Sequence, residues 1–146
     1  MSAASFCVQY TAPGRERSDI EDFSLDFGYT NPRSMTMATN LCHYFQQRVA
    51  ENADELAITN ADGSVRLTWS EYGAQVRRAS AALASEGLNS GDVVAIMLSN
   101  RPEFHIVDAG VMHLGAIAYS VYNTSAPEQI DYLFSNSRPK IVVTEK

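Results

Sequence analysis

The stretch Gly91–Asn100, GDVVAIMLSN, decides the fold: Val93 to Leu98 is an unbroken apolar run with no polar alternation. An alternating strand has one solvated face, whereas a continuous run fits a parallel-sheet strand covered on both faces. On the carboxyl side, Asn100 and Pro102 open a helix that ends at Gly115, and Ile117–Val121 forms the next strand. Ser125, Ala126, Pro127 and Glu128 then start a further helix by capping-box logic with Pro in the first turn. Ile130, Leu133 and Phe134 give that helix its apolar face, Ser137, Arg138 and Pro139 break it, and Ile141–Thr144 returns to the sheet. Strand, helix, strand, helix, strand is an α/β unit whose crossovers are right-handed by default.

On the amino side, Thr68, Trp69, Ser70 and Glu71 make a T-x-x-E capping box. The helix behind it carries Trp69, Tyr72, Val76, Ala79 and Leu83 as its apolar stripe, and Gly87 followed by Leu88 suits a Schellman stop. Leu56–Thr59 and Val65–Thr68 flank the turn formers Asn60 to Gly63, which predicts an antiparallel edge hairpin. Before it, Thr39 or Asn40 caps a helix whose Leu41, Tyr44, Phe45 and Val49 are expected to face inward.

Two expectations make the unit incomplete. Ile141–Thr144 reads as a buried strand of an unfinished sheet that nothing downstream covers or pairs. The helix after Pro102 is apolar on both sides, with Phe104, Val107, Val111 and Leu114 toward the sheet and Ile106, Ala109 and Met112 opposite, which calls for a layer expected outside the chain. The predicted architecture is an α/β unit with an incomplete, mostly parallel sheet, crossover helices and an antiparallel hairpin. The whole reads as the opening of a larger protein.

Residues 1–38 are read as a flexible leader and residues 39–146 as the ordered part. The leader mixes Pro13, Gly14 and many charges with few apolar residues. Phe23, Leu25 and Phe27 alternate within it, which fits either a short docking strand or a transient contact. Met35 and Met37 stand as alternative starts of translation.

Composition narrows the function. The 146 residues are 45% hydrophobic, enough for one domain with a real core. A net charge of -6 with no compact Lys/Arg cluster gives no footprint for nucleic acid. Cys7 in a polar leader and Cys42 on an expected helix are the two cysteines, which argues against a disulfide framework or thiolate metal site, and a reducing cytosol fits best. No secretory signal or membrane-spanning run is present, although small apolar patches leave weak peripheral membrane contact open.

The chemistry-bearing motifs are missing. There is no G-x-x-x-x-G-K-[ST] or G-x-G-x-x-G phosphate loop, no H-E-x-x-H, and no G-x-S-x-G turn. His43, His105 and His113 are scattered on two helices and are given no role; Glu71, Glu103 and Glu128 sit in first helical turns and read as dipole partners. Tyr119, Tyr122, Asn123 and Thr124 lie at the carboxyl edge of a parallel strand, where open α/β sheets place ligands, though a plain strand-to-helix loop accounts for them as well. No catalytic, cofactor-binding or metal-ligating residue is assigned.

Four segments carry a resemblance: Asn40–Gln46 (NLCHYFQ), Leu67–Tyr72 (LTWSEY), Gly91–Asn100, and Gly110–Ile130 (GVMHLGAIAYSVYNTSAPEQI). In order and wording they resemble the amino-terminal part of adenylate-forming (AMP-binding) enzymes, nearest to bacterial long-chain fatty acyl-CoA synthetases. LTWSEY is similar to an L-T-Y-x-E-L motif, and HLGAIAYSVY to a K-A-G-x-x-x-x-P motif of that family. Ala53, Ser120 and Asn123 depart from prolines common in relatives, at positions without a chemical role.

The resemblance implies the amino-terminal subdomain of the adenylate-forming fold. It also implies an ATP-dependent ligase that joins a fatty acid to AMP with magnesium and passes the acyl group to coenzyme A. The phosphate loop, the acidic ribose and magnesium residues and the carboxy-terminal lysine of such enzymes come later than the matched part, so the chain alone is expected to be inactive and to hold no cofactor. The expected partner is a complementary carboxy-terminal synthetase chain or a second copy. The alternative is a non-catalytic interaction module that keeps the subdomain fold.

Overall fold

In the computed structural model of the protein, residues 7–10 and 40–145 are described. The chain order is β1 (Cys7–Tyr10), α1 (Leu41–Glu51), β2 (Leu56–Thr59), β3 (Arg66–Thr68), α2 (Trp69–Ser85), β4 (Val93–Met97), α3 (Pro102–His113), β5 (Ile117–Ser120), α4 (Pro127–Ser137) and β6 (Ile141–Thr144). The main sheet runs β1-β6-β4-β5, and β2 and β3 form the separate hairpin expected from the turn at Asn60–Gly63. β4 pairs in parallel with both β5 and β6, so the run that begins at Val93 is the interior strand.

One expectation is corrected here. β6 is not left unpaired: Cys7–Tyr10 lies antiparallel along it, with Cys7 opposite Thr144 and Tyr10 opposite Ile141. Val8 and Tyr10 flank Gln9 in strand-like alternation, but four residues are too short a run to announce a strand, and the sheet edge selects it. The boundary of the leader at residue 38, the Phe23–Phe27 alternation and the alternative starts lie outside the described residues.

Register sorts the two sheet faces. Val94 and Ile96 of β4 stand beside Ile141 and Val143 of β6, and all four are almost fully buried. They form one core with Leu83, Leu88, Val107 and Val111 of the α2 and α3 layer. Ala95 and Tyr119 point to the opposite face, where the hydroxyls of Tyr119 and Ser137 are 2.7 Å apart and seat α4. The crossover helices therefore flank the sheet on both sides, as right-handed connections to either side of β4 require. Coverage is unequal: α4 has no buried residue.

The layer expected outside the chain is also corrected. α2 packs on α3 and buries Ile106 and Ala109, with the hydroxyl of Ser80 3.0 Å from Gly110 O at the seam. Sequence periodicity gave no sign that the helix after Thr68 would lie across α3 rather than on the sheet alone.

Caps follow local chemistry. Thr68 and Glu71 close the predicted box in both directions, with Thr68 N 2.8 Å from Glu71 Oε2 and Glu71 N 3.2 Å from Thr68 Oγ1. Gly87 and Gly115 adopt φ +83° and +67° and end their helices in Schellman turns, Leu88 N donating to Leu83 O and Ala116 N to Val111 O. At α4 the frame differs by one residue. Pro127 takes N1, so Ala126 is the N-cap and its N–H donates to Gln129 Oε1 at 3.0 Å; Ser125 and Glu128 form no box. α1 is capped by Asn40, whose Oδ1 accepts from His43 N at 3.0 Å. Its expected inward face is only half realised: Phe45 and Val49 are partly buried, while Leu41 and Tyr44 are 72% and 53% exposed.

Candidate functional site

The carboxyl ends of β4, β5 and β6 lie along one edge of the sheet, and the connections leaving β4 and β5 diverge to opposite faces, the arrangement that opens a crevice in doubly wound folds. Here the crevice is bordered by Ser99–Arg101 and Tyr122–Thr124. The guanidinium of Arg101 donates to Glu103 at 2.8 Å and to Glu145 at 3.0 Å. Glu145 also accepts from Ser99 N at 3.1 Å and Ser99 Oγ at 3.0 Å. The donors of Arg101, then burial opposing them, hold the Glu103 carboxyl below its ordinary value, and Arg101 and Ser99 do the same for Glu145. The cation nearest the crevice is thus already matched by two carboxylates.

The tyrosines of this edge divide. Tyr119 is tied down: Ser137 gives its own proton to Leu133 O, 2.7 Å away, which leaves Tyr119 as the donor of the pair between the two hydroxyls. Tyr122 is 79% exposed, and its carbonyl accepts from Ser125 N at 3.0 Å in the turn before α4. Asn123 and Thr124 are exposed too. The plain loop reading accounts for all four.

A second concavity lies where α1 crosses α3 beside Tyr72 of α2, a cleft of about 140 Å³. Phe45 centres its aromatic wall, 5.0 Å from Tyr72 and 5.2 Å from His113 between ring centroids. His113 Nδ1 is 2.7 Å from Ala109 O and Nε2 is 2.9 Å from Gln46 Nε2. A carbonyl only accepts, so Nδ1 donates to Ala109 O and Nε2 receives from Gln46 Nε2. Burial, with the nearby Asp108 adding to it, pushes the Tyr72 hydroxyl up to about 12, and that hydroxyl donates to His105 O at 3.1 Å. Burial likewise raises the Asp108 carboxyl and the Cys42 thiol. His105, Asp108 and Met112 follow a three-four spacing on one stripe of α3, a signal visible in sequence but indistinguishable there from ordinary helix patterning. His43 lies apart and exposed.

The described residues do not fit a magnesium triphosphate. α3 and α4 both open with Pro followed by Glu, which removes an amide donor and adds negative charge where phosphate would sit. Arg101 and Lys140 are engaged by carboxylates. Among the described residues no group of three His, Cys, Asp or Glu side chains could hold a metal ion. No described helix is long and apolar enough to cross a membrane.

The family described as AMP-binding enzyme matches residues 45–146. An uncharacterized protein of Mycobacterium tuberculosis H37Rv is 41% identical over 128 residues, covering 83% of this chain and 73% of that protein. The long-chain-fatty-acid–CoA ligase FadD15 of Mycobacterium bovis is 32% identical over 79 residues, 54% of this chain and 13% of the ligase. Among solved structures, the N-terminal domain of FACL13 from M. tuberculosis superposes with a TM-score of 0.68 at 27% identity, covering 72% of this chain and 27% of that one. The chain therefore spans about a quarter of the solved structure it resembles.

Proposed function

Because the chain belongs to the AMP-binding enzyme family, we propose that it supplies the amino-terminal subdomain of an ATP-dependent fatty acid–CoA ligase. The observation that carries this reading is the joint match of residues 45–146 to the family and of the fold to the N-terminal domain of FACL13 and to a fatty acyl CoA synthetase of M. tuberculosis. Similarity to FadD15, 32% identical over 79 residues, supports a long-chain acid, while the acetyl-coenzyme A synthetases of Shewanella match a longer stretch of 133 residues at 23–24% identity.

In the assembled enzyme, ATP, magnesium and coenzyme A are handled by further polypeptide, whether continuous with this chain or separate. Charge developing on a phosphoryl group must be met by placed donors and cations. Arg101, the cation beside the carboxyl edge of the sheet, and Lys140 are already held by carboxylates, so this segment contributes the scaffold: a sheet, its crossover helices and the surface on which the rest of the fold builds. The 146 residues alone are inactive in this reading and work in the cytoplasm.

The test is fatty-acid-dependent ATP–pyrophosphate exchange, with the purified chain alone and mixed with the remainder of a long-chain acyl-CoA synthetase. No exchange alone and exchange on mixing is expected. Exchange by the chain alone overturns the inactivity.

A second reading is favoured by one observation. The matched 128 residues make up 73% of the uncharacterized M. tuberculosis protein, so that relative is itself short. On this reading the fold serves as a non-catalytic module that binds a complementary synthetase chain, and mixing yields a complex in gel filtration but no exchange.

A further inference from the structure

Asp108 sits in the middle of α3, beyond the first turn where a carboxylate would serve the helix dipole. It is half-buried and lines the α1–α3 cleft. Among the described residues the ion pairs are Arg101–Glu103, Arg101–Glu145 and Lys140–Asp92, and Asp108 enters none of them. Of the other polar groups lining the cleft, both His113 ring nitrogens are engaged and the Tyr72 hydroxyl donates to His105 O, while the Cys42 thiol and the His105 ring, whose charge favours the ionised Asp108, complete the lining. The same cleft is lined by the rings of Phe45 and Tyr72 and the side chains of Leu41 and Met112, the last two 72% and 37% exposed.

A carboxylate placed against aromatic and thioether surface selects its occupant by exclusion. An anion is repelled, and a neutral apolar group would bury the charge without a partner. A metal ion finds no set of three ligands among the described residues. An organic ammonium satisfies every wall, because its charge meets the carboxylate and its carbons meet the rings and the thioether. The geometry points to a binding site for an alkylammonium group in the α1–α3 cleft, with Asp108 as the counter-ion and Phe45, Tyr72 and Met112 as the walls. At about 140 Å³ the cleft takes one such group, well short of the roughly 300–1,000 Å³ used by drug-sized ligands. The ammonium belongs either to a free amine or to a lysyl side chain of another polypeptide.

The lone tryptophan is a built-in reporter: Trp69 lies 5.9 Å from Phe45 and 6.0 Å from Tyr72 between ring centroids. The full chain is titrated at pH 7.5 with n-butylammonium, tetramethylammonium, Nα-acetyl-lysine amide, 1-butanol and butyrate while Trp69 emission is followed. A saturable change with n-butylammonium is expected, with 1-butanol, butyrate and the Asp108→Asn variant weaker by about tenfold or more, as loss of a charge-assisted contact requires. Equal binding of n-butylammonium and 1-butanol, unchanged binding by Asp108→Asn, or no response to either ammonium probe overturns the proposal. Methyl NMR supplies a measure that needs no variant: n-butylammonium must shift the Met112 methyl resonance and leave that of Met97 in place. A lysine amide that binds like n-butylammonium identifies the source as a lysyl side chain, and one bound tenfold more weakly identifies a free amine.

Discussion

The hydroxyl of Ser80 and the carbonyl oxygen of Gly110 are 3.0 Å apart where α2 packs on α3. A Cβ on residue 110 would stand 3.2 Å from Ala79 Cβ and 3.3 Å from Ser80 N, and the second of these is backbone that cannot swing aside. The seam exists because glycine leaves room for it. Gly110→Val is expected to destabilise the fold by roughly 3 kcal/mol through overpacking. Ser80→Ala, which removes one buried hydrogen bond, is expected to cost about 1 kcal/mol. Urea unfolding checks both, and a Gly110→Val midpoint equal to that of the parent would refute the close-packed seam.

The capping box at the start of α2 is testable in isolation. Thr68 and Glu71 satisfy one another's orphan amides, so Thr68→Ala should lose about 1 kcal/mol while Thr68→Ser loses much less. The measurement is the urea midpoint at constant m-value. Equal losses for Ala and Ser would mean that the hydroxyl contributes nothing.

These two contacts mark what the sequence disclosed and what it did not. Thr68-x-x-Glu71, Gly87-Leu88 and the Val93–Leu98 run are local signals, and each element they announce is present. The frame at Pro127 differs from the expected one because proline at N1 outranks a serine two residues earlier. What stayed illegible is non-local: the pairing of Cys7–Tyr10 with β6, and the stacking of α2 on α3 that buries Ile106 and Ala109. An apolar second side on a helix says that something covers it, never which segment. The cleft was hidden for the same reason, since Cys42, Tyr72 and Asp108 come from three helices.

Acid should reveal two opposed sets of carboxyls. The Lys140 ammonium, 2.6 Å away, and the Asn89 amide hold Asp92 below its ordinary 3.8, while Arg101 holds Glu103 and Glu145 below 4.5. A group whose pKa is depressed by folding binds protons less readily when native. Its contribution is present above the unfolded value and lost as pH falls through the folded one. Asp108 behaves in the opposite sense, because burial raises it and its ionisation opposes folding at neutral pH. Asp92→Asn should therefore lower, and Asp108→Asn raise, the urea midpoint at pH 7, with both approaching the parent near pH 3. Differences that persist unchanged down to pH 3 would show that neither carboxyl acts through its charge.

The two faces of the sheet should respond unequally to truncation. Ile96 is 1% exposed on the face shared with α2 and α3, whereas Ile117 is 56% exposed on the edge strand toward α4. Removing three carbons from a sealed site loses their transfer energy and leaves a cavity, and removing them from a wet edge loses little. Ile96→Ala is expected to cost about 2–5 kcal/mol and Ile117→Ala under about 1 kcal/mol in the isolated chain. If the remainder of a synthetase packs on this chain through the α4 side, Ile117→Ala should weaken that complex while leaving the urea midpoint of the free chain almost unmoved. A large loss of free-chain stability from Ile117→Ala would instead show that the β5 edge belongs to the chain's own core.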